Sequence, residues 1–183
     1  MELDDYTFNQ HNKEEFPPAH TAEHLLNQLM VRMFGTERSK NAHIERKKSK
    51  MTFVLSKKPS RKDEKAIEDE MNRLIEADLP VTYELVERTE LPEGVTLERL
   101  PEDASEKIRL VRIGDYDVCP CIGKHVRSTL QIGKFELLGT NWDEYNRSFR
   151  VRFKVKPLFF INQKQYANGK NLRRTKRKLF GFV

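Results

Sequence analysis

Two pairs of soft metal ligands stand out in the chain. His20-Thr21-Ala22-Glu23-His24 sets two imidazoles four residues apart, and far downstream Cys121-Ile122-Gly123-Lys124-His125 sets a thiol and an imidazole at the same spacing. Positions i and i+4 of a helix share a face, so both rings of the first pair can reach one ion. With five His in the chain, either pair alone is a modest signal. Together they supply three imidazoles and one thiolate, a set that zinc accepts in tetrahedral geometry. We therefore read His20, His24, Cys121 and His125 as candidate ligands of Zn2+, with Gly123 letting the backbone bend within the second pair. Cys119, beside Pro120, is a spare thiol that can exchange with Cys121 as ligand. A Cys-Pro-Cys redox pair is the lesser alternative, because the spacing is too short for an unstrained disulfide.

Two more residues are candidates for catalysis. His-x-x-Glu-His is also the signature of a class of zinc peptidases whose Glu acts as general base, which gives Glu23 a candidate role toward an attacking water. The competing reading is an exposed helix glutamate. Those peptidases are larger and complete their site with a carboxylate, so they do not account for Cys121 and His125. His43 lies in a basic stretch, Arg38 to Lys50, that reads as a solvated loop.

The elements that must carry these residues follow from periodicity. Pro17-Pro18 starts a helix expected to run to Phe34 with Gly35 as its stop, burying Leu25, Leu26, Leu29, Met30, Met33 and Phe34. Ser60 and Asp63 form a capping box for a second helix with Ala66, Ile67, Met71, Leu74 and Ile75 as its stripe, ended by Pro80. Strands are expected at 51–55, 81–86, 108–113, 116–119, 131–138 and 148–156. In the last, Phe149, Val151, Phe153 and Val155 face one way and Arg150, Arg152, Lys154 and Lys156 the other. The expected fold class is α+β, helices packed on one side of a largely antiparallel sheet. Residues 1–16 read as a lead-in segment, 17–156 as the metal-binding domain and 157–183 as a basic extension.

Charge divides sharply along the chain. Of 34 Lys and Arg, 12 fall between Tyr145 and Val183, where there is no Asp or Glu; residues 1–144 carry 22 basic against 28 acidic residues. A surface built only for solubility would intersperse the signs, so one end is expected to meet a polyanion, nucleic acid first. The candidate RNA contacts are Arg150, Arg152 and Lys154 on the strand, and Lys170, Arg173, Arg174, Lys176, Arg177 and Lys178 near the end. Phe180 and Phe182 either stack on unpaired bases or anchor the tail in an apolar groove. The acidic N-terminus does not read as a secretory leader, no apolar run reaches the roughly 18 residues of a span, and two cysteines two residues apart suit a reducing compartment. A cytoplasmic location is expected.

Ala19-His20-Thr21-Ala22-Glu23-His24-Leu25-Leu26-Asn27 and Cys121-Ile122-Gly123-Lys124-His125-Val126 resemble, in this order, the paired segments of the editing domains of alanyl- and threonyl-tRNA synthetases. Thr129 to Phe135 looks like the strand that follows the second motif in that family. The resemblance covers about residues 17–156 and is nearest the short free-standing editors. It implies zinc, the acceptor end of tRNA as partner, and hydrolysis of mischarged aminoacyl-tRNA in trans. The family's substrate pocket falls at Asn41 to Lys50, where His43 and Ser49 would meet the amino acid or terminal ribose. Glu23 stands where many alanyl-type members carry a small hydroxyl residue, Ala42-His43 replaces an expected Gly-Ser, and Ile122 and Lys124 depart from Cys-Gly-Gly-Thr-His. Two other readings remain: a non-catalytic zinc-stabilised RNA-binding module, and a metal-dependent hydrolase of another small ester or amide.

Overall fold

A computed structural model describes residues 16–92, 95 and 107–157 of the chain. Pro17 and Pro18, whose missing N–H groups cost nothing in a first turn, open helix α1 (Pro17–Phe34). Gly35 closes it in the left-handed region at φ 62°, its N–H on the Val31 carbonyl. The stripe expected from periodicity is buried through Met30, while Met33 in the last turn stays 36% exposed, a correction to the sequence reading. The opposite side of α1 is buried too, at Thr21, Glu23, His24 and Asn27. A helix that buries polar residues opposite its apolar stripe is packed against a polar centre as well as a core. Phe16, expected in the lead-in, belongs to that core, with the Arg46 guanidinium 4.5 Å above its ring.

Helix α2 (Arg61–Glu76) begins at the expected capping box, Ser60 and Asp63 bonding reciprocally. The strands are all antiparallel and divide into two sheets. The first, in spatial order, contains β1 (Asn41–His43), β2 (Ser49–Val54), β7 (Ser148–Lys156) and β6 (Lys134–Asp143). The second contains β3 (Val81–Glu87), β4 (Lys107–Ile113) and β5 (Asp117–Pro120). Helix α1 touches β2, β7 and β5, and α2 packs on β6, so the fold is α+β as expected. Phe149, Val151, Phe153 and Val155 alternate inward along β7, and Phe153 stacks on Phe135 of β6 with centroids 5.1 Å apart.

Two strands differ from the sequence pattern for local reasons. β2 starts at Ser49, whose fully buried hydroxyl donates to the Glu45 carbonyl and accepts the Glu45 N–H, and it pairs with a short polar edge strand, β1, that shows no apolar alternation. The strand expected over 131–138 is instead a 3-10 turn (Thr129–Ile132) followed by β6. Gly133 separates them at φ 74°, where a Cβ would lie 2.0 Å from the Lys156 carbonyl oxygen. A bulge between Leu137 and Gly139 then breaks the alternation that would have shown the strand's full length.

Thr129 ties this turn to α2. Its buried hydroxyl donates to the Leu74 carbonyl at 2.9 Å and accepts the Leu79 N–H at 2.9 Å. Thr129→Val keeps the shape but strands that buried N–H, so urea denaturation is expected to show a loss of about 1–3 kcal/mol.

Candidate metal centre

The first two turns of α1 present His20 and His24 to the loop after β5, and that loop brings Cys121 and His125 back to them. The three imidazole centroids lie 4.2 Å (His20–His125), 4.5 Å (His24–His125) and 5.3 Å (His20–His24) apart. One ligand atom from each of His20, His24, Cys121 and His125 lies within 4.8 Å of the others. All four residues expected from sequence therefore meet.

The hydrogen bonds around the cluster fix which ring nitrogens point inward. His20 Nδ1 faces the Lys124 carbonyl at 3.2 Å, an acceptor only, and so carries the proton. The Thr21 hydroxyl donates to the Pro17 carbonyl at 3.0 Å, leaving its oxygen to accept from His125 Nδ1 at 3.1 Å and from the Val126 N–H at 3.2 Å. Both rings then turn a bare Nε2 toward Cys121 Sγ, at 3.4 Å from His20 and 3.5 Å from His125. Zn–S and Zn–N bonds of about 2.3 and 2.0–2.1 Å at a tetrahedral angle separate sulfur from nitrogen by about 3.6 Å, so the spacing fits such an ion.

Protonation is biased the same way. Burial pushes the Cys121 thiol up, but hydrogen bonds from His125, His20 and His24 outweigh it and hold the group down at about 2. Burial and the neighbouring His24 and His20 lower His125 to about 3, against the opposing pull of Cys121. A thiolate beside a neutral imidazole is the form in which both bind metal. Burial also lowers His24, yet the field of Cys119 and hydrogen bonds to Asp117, Cys119 and Cys121 carry it well above the usual imidazole value. That corner of the cluster favours a cation.

Three residues that the sequence did not single out hold the cluster in place. Arg109 on β4 lies 4.8 Å over the Tyr83 ring, donates from Nε to the Cys121 carbonyl at 2.8 Å and also bonds the Gly123 carbonyl. It fixes the turn itself, and Gly123 bends there at an ordinary, non-left-handed φ. Asp117 on β5 is buried, 3.6 Å from His24 Nδ1. Arg38, read as part of a solvated basic loop, instead donates to both Asp117 oxygens at 2.6 and 3.2 Å. Burial raises the Asp117 carboxyl, but His24 and Arg38 outweigh it and leave it below the usual range. A signal for Asp117 was present: Asp117, Cys119 and Cys121 recur at the strand period of two.

The remaining candidates separate clearly. Glu23 is 6% exposed, which overturns the exposed-helix reading. Asn27 Nδ2 donates to its Oε1 at 2.8 Å, and its Oε2 lies 3.7 Å from His20 Nε2. His43 is not in the four-residue group; it sits on edge strand β1 with Nε2 2.6 Å from the Glu45 carboxylate. Cys119 and Cys121 are both free thiols, and Cys119 faces His24 while Cys121 faces His20 and His125. On β7, Arg150 is exposed and Arg152 half-buried, while Lys154 and Lys156 both bind Glu136. The basic face is thus partly neutralised. Lys170, Arg173, Arg174, Lys176, Arg177, Lys178, Phe180 and Phe182 lie outside the described residues. Among the described residues no helix is long and apolar enough to cross a membrane.

Comparison with known proteins includes the segment that carries Cys121 and His125. Residues 108–174 match the family model described as the threonyl and alanyl tRNA synthetase second additional domain. The chain is 45% identical over 71 residues to the alanyl-tRNA editing protein AlaX-L of Pyrococcus horikoshii, covering 38% of this chain and 17% of that protein. It is 33% identical over 122 residues to an alanine–tRNA ligase of Archaeoglobus fulgidus, covering 65% of this chain and 13% of the ligase. It is 27% identical over 125 residues to that of Treponema denticola, covering 68% and 21%. The chain thus spans less than a quarter of the length of these relatives. The paired motifs, the α+β core that joins them and these matches agree: the chain is similar to the editing domains of the alanyl- and threonyl-tRNA synthetases, with the family model matching residues 108–174.

Proposed function

We propose that this chain hydrolyses mischarged aminoacyl-tRNA in trans, as a zinc-dependent deacylase of the alanyl-tRNA editing type. The observation that carries the reading is the convergence of His20, His24, Cys121 and His125, on a chain similar to the editing domains. Their three imidazoles and one thiolate would hold Zn2+, which when bound supplies Lewis acidity toward a carbonyl oxygen or a water. Hydrolysis of the aminoacyl ester adds water to the carbonyl carbon and breaks its bond to the ribose oxygen. Glu23, buried beside His20 and held by Asn27, would take the proton of that water and return it to the leaving ribose. Residues 17–156 would form the catalytic domain and the acceptor end of tRNA the partner.

One observation favours a second reading. Four protein ligands fill a zinc tetrahedron, whereas catalytic zinc keeps a position open. The chain would then be a zinc-stabilised RNA-binding module without hydrolysis. Incubation with Ser-, Gly- and Ala-charged tRNA, with and without chelator, separates the two. Chelator-sensitive release of the amino acid supports the deacylase; tight binding without release supports the module.

RNA binding is expected to involve Arg150 and Arg152, the part of the β7 face with no ion pair among the described residues. Arg150→Ala with Arg152→Ala should weaken tRNA binding evenly across tRNAs and reduce the slope of log K against log salt by about one for each phosphate no longer neutralised. An unchanged slope in filter binding from low to moderate salt would remove β7 from the interface.

A further inference from the structure

The three imidazoles follow one pattern. His20 and His125 each spend Nδ1 on a neighbour outside the cluster, the Lys124 carbonyl and the Thr21 hydroxyl, and turn Nε2 inward. His24, 3% exposed, lies deeper: its Nδ1 is 3.3 Å from Cys119 Sγ and 3.6 Å from Asp117 Oδ2, while its Nε2 is farther from that sulfur at 3.8 Å. Asp117 is in turn gripped on both oxygens by Arg38, which also reaches Cys119 Sγ at 3.6 Å.

His24, Asp117 and Cys119 have their own potential ligand atoms within 4.8 Å of one another. A second ion there is disfavoured because the cation is already present. Arg38 cannot give up its charge, and its fork occupies both oxygens of the one carboxylate in the group. The trio supports His24 from behind.

We propose that Asp117, clamped by Arg38, is a positioning residue for His24: with the Cys119 thiol it occupies the Nδ1 side of the ring, turns Nε2 to the ion and keeps Cys119 off the metal. The proposal rests on the zinc reading of the four ligands. A ligating imidazole is oriented by what its other nitrogen donates to, and removing such a partner weakens metal binding by about 10- to 100-fold. It also selects between the two thiols, which sequence leaves open.

The test uses the full chain, 15N-labelled and loaded with one equivalent of zinc. Long-range proton–nitrogen correlation should show His24 metallated at Nε2 and protonated at Nδ1. Competition with a chromophoric chelator should show Asp117→Asn binding zinc about 10- to 100-fold more weakly, while Cys119→Ala still binds one zinc. His24 metallated through Nδ1, wild-type affinity in Asp117→Asn, or loss of zinc in Cys119→Ala would each overturn the proposal. If Asp117→Asn does not fold, the wild-type spectrum decides alone. A wild-type chain that takes up no zinc overturns the metal reading itself, a result distinct from a loaded chain with the other nitrogen on the ion.

Discussion

Cys121→Ala is expected to empty the metal centre and abolish release of amino acid from mischarged tRNA. Cys121 is the hub of the cluster: its sulfur is 3.4 Å from His20 Nε2 and 3.5 Å from His125 Nε2, and it is the one ligand that brings a full negative charge. Three neutral imidazoles would have to balance a divalent ion alone. Lewis-acid stabilisation is worth several kcal/mol, so its loss should reduce the rate by about 10²- to 10⁴-fold. Chelator should do the same to the wild type, and added zinc should restore the wild type but not the variant. Circular dichroism separates this outcome from unfolding, since Cys121 is only partly buried and its turn is also held by Arg109. Full activity in a zinc-free, folded Cys121→Ala would exclude a metal from the reaction. Retained tRNA binding with no release in either protein would favour the RNA-binding module.

How well the sequence revealed this centre depended on the range of each interaction. The limits of α1 are local, set by Pro17-Pro18 and Gly35, and so were legible. β7 was legible because both of its neighbours in the sheet leave a strict alternation intact. The meeting of His20, His24, Cys121 and His125 was legible because i, i+4 spacing of His and Cys is rare and chemically narrow. Arg38 and Asp117 are 79 residues apart, and each alone looks like an ordinary surface charge. Arg109 likewise sits in an alternating strand, where an arginine normally faces water. Only the meeting of α1, β4 and β5 makes these charges internal. Glu23 shows the same limit: helix position alone favoured solvent, and burial came from the loops that fold over the polar side of α1.

Glu23→Gln is expected to bind zinc like the wild type and still lose most of its deacylation. The two side chains have the same shape, and the amide oxygen can keep accepting from Asn27 Nδ2, whose own Oδ1 accepts the Ser39 N–H at 2.8 Å. The anchoring network therefore survives, and only the ability to accept a proton is lost. General-base catalysis contributes about 10²- to 10⁴-fold, so kcat should fall by that factor with KM little changed. The carboxylate is 6% exposed, 3.7 Å from a His20 nitrogen and within the field of Arg38, so its buried charge is held where an attacking water would sit under this reading. Three outcomes follow from parallel zinc and rate measurements. Intact zinc with a collapsed rate makes Glu23 the base. Lost zinc would mean that its charge serves to hold the ion through His20. An unchanged rate with unchanged zinc would leave Glu23 a structural partner of Asn27, and the water would have to be activated without a carboxylate.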